Sequence, residues 1–143
     1  MEIDFDKMHG LVPAIAQDAA SGDILMLGFM NREAWEKTQT IGYVTFYSRT
    51  RNELWTKGET SGNRLKVVSA ATDCDRDSLL IRVEVEGEGV VCHEGTRSCF
   101  TKMIEVSGTE IPQLTKTALD RAPSKSRAGA PAPHVASILR CKI

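Results

Sequence analysis

The chain has 143 residues, 41% of them hydrophobic, which is enough for one domain that buries a single core. Its formal net charge of −1 argues against a nucleic-acid binder of the usual kind, because such proteins neutralise phosphates with an excess of Lys and Arg. No stretch reaches the ~18 consecutive apolar residues of a membrane helix, and the N-terminus is acidic where a signal peptide would be basic. We therefore expect a cytoplasmic protein that acts on a small molecule or binds a protein partner.

The first thirty residues predict a β-hairpin. Residues 11–18 and 24–30 are apolar runs on either side of a turn signal, and we expect the second run to be buried on both faces. Pro13 is typical of a sheet edge or of a strand start, and Gly28 is typical of a bulge.

One main helix is predicted over about 31–40, because Asn31 is a good N-cap and good helix formers follow it. Alternating or β-branched residues predict further strands at residues 43–48, 54–56, 65–70, 79–86 and 100–106. The expected fold class is α+β and β-rich, with antiparallel or mixed sheets.

The composition changes at residue 114. Residues 114–143 are rich in Ala, Ser and Pro and carry six basic residues against one acid, a net charge of +5 that leaves −6 for residues 1–113. Low hydrophobicity with several prolines is typical of a flexible tail. We expect one domain over residues 1–113 and a basic, flexible tail over residues 114–143.

Residues 73–100 concentrate side chains that can bind metals. Cys74, Cys92 and Cys99 are three of the four cysteines, and no CxxC pair typical of a structural zinc site is present. We favour a catalytic zinc with three thiolate ligands and one position for water; small buried cysteines that bind nothing are the alternative. His93 directly follows Cys92, which favours a general base or acid toward that water over a structural histidine.

Three aspartates, Asp73, Asp75 and Asp77, alternate along the same segment. In a fully extended strand alternate residues lie roughly 7 Å apart, so the three carboxylates could share one ion only if the segment bends. Three such oxygen ligands suit Mg²⁺ or Ca²⁺. A solvated acidic turn without a metal is the alternative.

Residues 57–63 contain two glycines and no hydrophobic periodicity, which predicts a loop. Backbone N–H groups and the Lys57 ammonium could hold a phosphate there, and Arg49, Arg51 and Arg64 nearby favour an anion. A plain surface loop is the alternative, since the spacing is not that of a P-loop.

Taken together, these motifs resemble the phosphoribosyl-AMP cyclohydrolase family. They occur in the order of the family over about residues 10–105, and each alone is less specific than the ordered set. The matching segments are Met30-Asn31 with Glu33-Ala34, Ser48 to Arg51, Leu54 to Asn63, Asp73 to Asp77, and Cys92 to Phe100.

The resemblance implies a set of ligands and a partner. It implies zinc on Cys74, Cys92 and Cys99, and magnesium on Asp73, Asp75 and Asp77. It also implies an intertwined homodimer that shares each zinc site, with the first cysteine from one chain and the other two from its partner. The implied contacts to substrate are Arg49, Arg51, Trp55, Lys57, Glu59, Ser61 and Arg97.

The resemblance further implies a reaction in histidine biosynthesis. The N1–C6 bond of the adenine ring of 1-(5-phosphoribosyl)-AMP is opened by zinc-activated water, with His93 transferring the proton, to give the phosphoribosyl-formimino aminoimidazole carboxamide ribotide. The basic tail departs from the family pattern, and we expect no pyrophosphohydrolase domain of the kind that the bifunctional forms carry.

Two other functions are compatible with the cysteines. A zinc nucleobase deaminase also attacks a ring carbon, but its H-x-E and P-C-x-x-C signatures are absent, because Glu94 follows His93 directly. A small binding module that uses zinc only for stability would need no catalytic group.

Overall fold

The computed structural model describes residues 2–107, which form two β-sheets and one α-helix. The elements in chain order are β1 (Val12–Asp18), β2 (Ile24–Met30), α1 (Arg32–Ile41), β3 (Thr45–Ser48), β4 (Glu53–Thr56), β5 (Leu65–Thr72) and β6 (Leu79–Val85), with a short 3₁₀ turn at Asp6–Met8 before them. The predicted tail, residues 114–143, lies outside the described residues.

The larger sheet has four strands in the order β2-β1-β6-β5, and β3 pairs with β4 in the smaller one. The pairs β1–β2, β5–β6 and β3–β4 are antiparallel, whereas β1 runs parallel to β6. The expected β-rich α+β class with mixed sheets is therefore confirmed. Within residues 2–107 no helix has the length and apolar character that crossing a membrane requires.

The helix α1 has the boundaries that its sequence predicts. The Asn31 side chain accepts a hydrogen bond from the Ala34 backbone N–H at 2.8 Å, which caps the first turn. Gly42 ends the helix with a φ of 74°, a conformation that favours glycine.

The hairpin of β1 and β2 forms as predicted, but one detail differs. Pro13 is the second residue of β1, which confirms the strand start that was one of its two predicted positions. It does not lie at a sheet edge, because β1 runs between β2 and β6, and pairing with β6 begins only at Ala14. Gly28 pairs regularly with Ala14, and the register shift in this hairpin lies between Ala16 and Gln17. A side chain at Gly28 would overlap the Phe46 ring, so close packing, and not a bulge, explains this glycine.

Two predictions about strands are wrong. The strand β2 is not buried on both faces, since Ile24 and Leu27 are 40% and 44% exposed. The reason is that the sheet has only one face against the core, so that residues on its other face lie at the surface, as they also do in the central strands. Residues 100–106 form no strand, because no strand of the described chain pairs with them, and Ile104 is 81% exposed.

One hydrophobic core joins the four-stranded sheet, the β3–β4 hairpin and α1. Leu25, Met30, Phe46 and Ile81 are among its fully buried side chains. Alternate residues of β6 enter this core while the residues between them face outwards, as the alternating sequence predicts. The strands of the sheet are therefore held in place by one packed hydrophobic core.

Candidate functional site

Cys92 and Cys99 lie together at the two ends of one loop. Gly95, with a φ of 83°, donates its N–H to the Cys92 carbonyl oxygen at 3.0 Å, and the Cys92 N–H donates to the Thr96 carbonyl oxygen at 2.9 Å. At the far end, the Cys99 N–H donates to the Leu25 carbonyl oxygen of β2 at 2.8 Å. The loop thus turns back on itself and brings the two thiols close enough for each to shift the pKa of the other.

The two thiols differ in acidity. A hydrogen bond from the Glu94 backbone holds the pKa of Cys92 below its ordinary value, although burial opposes this shift. Partial burial, and then the hydrogen bond and charge of Cys92, raise the pKa of Cys99 to about 11. The first proton is therefore lost more easily than the second, and a bound cation would be needed to hold both sulfurs as thiolates.

The loop at residues 57–63 forms as predicted and reaches this thiol pair. Burial raises the pKa of Cys99, whereas the positive charge of Lys57 lowers it. The Lys57 ammonium therefore lies near the sulfurs. The loop closes on itself, since Gly58 packs against the backbone of Asn63 with a φ of 79°. The buried Asn63 side chain also accepts the Glu88 N–H at 2.8 Å.

His93 is exposed, and its Nδ1 lies 3.9 Å from the Cys92 Sγ. Because the side chain is exposed, His93 is not a structural histidine buried in the core. The imidazole is free to meet a substrate beside the thiol pair, and its role as a general base stays a prediction.

Cys74 does not join the thiol pair within one chain. It lies exposed in the turn after β5, and in residues 2–107 neither Cys92 nor Cys99 belongs to a group of three or more metal-ligating side chains. Two of the three predicted zinc ligands are thus brought together and the third is not.

Asp73, Asp75 and Asp77 do come together. Their ligand oxygens lie within 4.8 Å of one another, because the segment bends into a turn in which Arg76 has a φ of 65°. Hydrogen bonds from Ser78, with that from the Asp77 N–H, lower the pKa of Asp73 to about 2. Partial burial and the two neighbouring carboxylates raise the pKa of Asp77. This crowding of negative charge is relieved by a cation.

Lys7 supplies one such cation, which no motif in the sequence indicated. Its Nζ donates to the Asp75 carbonyl oxygen at 2.8 Å and to Asp75 Oδ2 at 3.2 Å, and lies 3.9 Å from Asp77 Oδ2. The aspartates therefore fit a site for a hard cation, with an ammonium already against two of them.

Most of the residues predicted to contact substrate lie on the segment 49–61. Arg49 stacks over the Phe29 ring at 3.9 Å, and the exposed Arg51 pairs with Glu53 at 3.6 Å. Trp55 is half-buried, with its ring centroid 5.3 Å from that of Phe46. The other three in this segment are Lys57 and the exposed Glu59 and Ser61.

Arg97, the seventh predicted contact, lies elsewhere. Its Nη2 is 3.0 Å from the Oδ1 of Asp18, and the two side chains are only 22% and 6% exposed. Asp18 is the last residue of β1, and the sequence around it predicted only a turn. No local pattern connects it with a loop nearly eighty residues later.

A mixed-sheet domain that presents a thiol pair, a loop with Lys57 beside it and an acidic turn has the groups that a small-molecule enzyme needs. Residues 26–101 match the family model described as phosphoribosyl-AMP cyclohydrolase. The chain belongs to this family, which confirms the resemblance noted from its motifs.

Curated relatives agree. The phosphoribosyl-AMP cyclohydrolase of Desulfatibacillum aliphaticivorans is 56% identical over 105 residues, 73% of this chain and 83% of the relative. That of Solibacter usitatus (strain Ellin6076) is 53% identical over 111 residues, 78% and 87% of the two chains. The histidine biosynthesis bifunctional protein HisIE of Escherichia coli (strain K12) is 58% identical over 99 residues, 69% of this chain but 48% of the relative. The match therefore spans about half the length of that bifunctional relative.

The closed form of the 57–63 loop can be tested by Gly58→Ala. The new Cβ would overlap the Asn63 backbone, so we expect a loss of stability clearly larger than the ~1–2 kcal/mol that a positive φ alone costs. Gly62→Ala is the matched control, because it has the same φ of 79° with nothing within 4 Å. Urea unfolding measures both, and equal losses would contradict the account.

Proposed function

We propose that this chain opens the adenine ring of 1-(5-phosphoribosyl)-AMP by hydrolysis of the N1–C6 bond, forming the phosphoribosyl-formimino aminoimidazole carboxamide ribotide. The observation that carries the proposal is the contact between Cys92 and Cys99 beside Lys57. Family membership and the curated names of the relatives support it. This reaction serves histidine biosynthesis in the proposal, as the name of the bifunctional relative suggests for that protein.

Zinc is the metal that best fits the thiol pair. Two sulfur donors that cannot easily both lose their protons are suited to a thiophilic dication, and a catalytic zinc site takes three protein ligands. We assign Cys74 as the third ligand. Since Cys74 does not reach the pair in its own chain, the proposal needs Cys74 from a partner chain.

An intertwined homodimer satisfies that need. The residues directly after Cys99 carry apolar side chains into solvent: Phe100, Met103 and Ile104 are 59%, 60% and 81% exposed. Apolar side chains clustered at the surface are typical of a protein interface. A second copy of the chain that covers them would lie beside the thiol pair, where Cys74 is required.

The proposed division of work starts with the attacking water. Zinc, when bound, supplies the acidity that makes water a nucleophile near neutral pH. His93, exposed beside Cys92, accepts a proton from the water as it attacks C6. The N1–C6 bond breaks, and His93 returns the proton to the departing N1.

The remaining residues bind the substrate and the second metal. Lys57 and Ser61, with Arg49 and Arg51, would hold the two terminal phosphates through charge-assisted hydrogen bonds. Trp55 and Glu59 are the other two predicted contacts on the same segment, and Arg97, the seventh, lies outside it. Magnesium is assigned to the three aspartates, where their crowded carboxylates support a hard cation.

An assay of ring opening tests the function. The full chain with zinc and magnesium should convert phosphoribosyl-AMP into an imidazole carboxamide, seen as a change in ultraviolet absorbance, without release of ammonia. Cys92→Ala should lose both its zinc and the activity. Release of ammonia would indicate a deaminase instead, and failure of the zinc-loaded protein to change the absorbance would indicate a binding module.

Mixing inactive variants tests the shared site. Cys74→Ala and Cys99→Ala protomers should each be inactive, but their heterodimer should recover activity, because one of its two sites then has all three cysteines. Cys92→Ala mixed with Cys99→Ala is the control and should stay inactive, since each site lacks one cysteine of the pair. No recovery in a verified Cys74→Ala/Cys99→Ala heterodimer would exclude sharing.

A further inference from the structure

The pair of Asp18 and Arg97 joins the central strand of the sheet to the loop that carries Cys92 and Cys99. It is the only ion pair in residues 2–107 in which both side chains are mostly buried, since each of the others has at least one side chain that is 42% exposed or more. A buried pair of this kind is specific in its geometry, because either charge left alone would be strongly unfavourable. The two residues must therefore stay together in the folded chain.

Both oxygens of the Asp18 carboxylate are used. Oδ2 accepts the Ser21 N–H at 2.8 Å, and Oδ1 accepts from Arg97 at 3.0 Å. Burial raises the pKa of Asp18, but the contacts with Ser21 and Arg97 outweigh it, and the pKa lies below its ordinary value. The carboxylate is thus a charged, fixed anchor at the end of β1.

The Arg97 side chain links the loop between Cys92 and Cys99 to the end of β1. The Thr96 hydroxyl donates to the Ser98 carbonyl oxygen at 2.7 Å, and the Ser98 hydroxyl donates to the Ile24 carbonyl oxygen at 2.8 Å. These contacts fix the backbone on both sides of Arg97, and its side chain reaches across to β1. The path of the loop from one sulfur to the other therefore depends on this side chain.

We infer that Asp18 and Arg97 are positioning residues that set the geometry of Cys92 and Cys99 for metal binding. Arg97 thereby acts through the loop and not on a substrate phosphate. The inference rests on the proposed zinc site and assigns Asp18 a part in that site. Partners that hold metal ligands in place typically contribute roughly 10–100-fold to metal affinity.

Titration of the metal-free full chain with Co²⁺ tests this inference, because thiolate-to-cobalt absorption reports on the sulfurs without catalysis. Asp18→Asn keeps the size of the side chain but removes its charge, and we expect Co²⁺ to bind at least about 10-fold more weakly. Arg97→Met should do the same, while the KM for phosphoribosyl-AMP measured at saturating metal stays close to that of the wild type.

Two further variants distinguish a loss of metal binding from a loss of folding. Arg82→Met is the matched control: Arg82 donates to the Ala19 carbonyl oxygen at 2.8 Å, in the same turn as Asp18, but no contact links it to the cysteine loop, so Co²⁺ binding should not change. If a single variant fails to fold, the double variant Asp18→Asn/Arg97→Gln leaves no buried charge unpaired. It should fold and still bind Co²⁺ weakly.

The outcomes separate this inference from the proposed function. Wild-type binding of Co²⁺ with no change in the Asp18 or Arg97 variants overturns the inference alone. A raised KM in Arg97→Met with normal Co²⁺ binding overturns it in favour of a substrate contact. A wild-type chain that forms no thiolate–cobalt absorption as a dimer contradicts both the zinc site and the inference.

Discussion

The contact between the Cys92 and Cys99 sulfurs is the constraint on which the rest of the site depends. Burial, and then the neighbouring Cys92 thiol, raise the pKa of Cys99 to about 11, so the two thiols do not lose their protons equally easily. Without a bound cation, the two sulfurs are not both stable as thiolates. The fold maintains the contact by tying one end of the loop to its own turn and the other end to β2.

The supports of this contact come from widely separated parts of the chain. Lys57 enters from the loop after β4, and Asp18 reaches Arg97 from the end of β1. Because β1 is one of the two central strands and is paired on both sides, it is a well-supported base for that contact. A site that must bind metal with defined geometry needs this kind of support, because loosely held ligands lose affinity to conformational entropy.

Local signals predicted most of the fold. Asn31 and Gly42 mark the ends of α1, and the alternation in β6 gives its buried and exposed faces, because these features depend on neighbours in sequence. The errors concern what lies next to a strand in space. The apolar run of β2 suggested burial on both faces, yet the sheet has only one face against the core, which leaves Leu27 exposed, and residues 100–106 have strand composition but no strand beside them in the described chain.

The candidate site was predicted to a similar degree. The motifs indicated the three aspartates, whose convergence required only a bend within five residues. They could not indicate Lys7 or Asp18, since those contacts connect residues about seventy or eighty positions apart and leave no periodic pattern. Their spacing alone could not tell that Cys74 stands apart from the other two cysteines of its chain, because that depends on how the whole sheet folds; only the family resemblance, which assigns Cys74 to the partner chain's site, implied it.

The central claim is that each metal centre has three sulfur ligands, two from one chain and one from another. X-ray absorption at the zinc edge counts the sulfur neighbours of the zinc at about 2.3 Å, and so measures the number of sulfur ligands directly. The account predicts three sulfurs per zinc in the wild type and two in Cys74→Ala. Two sulfurs in the wild type, or an unchanged count in Cys74→Ala, would contradict it.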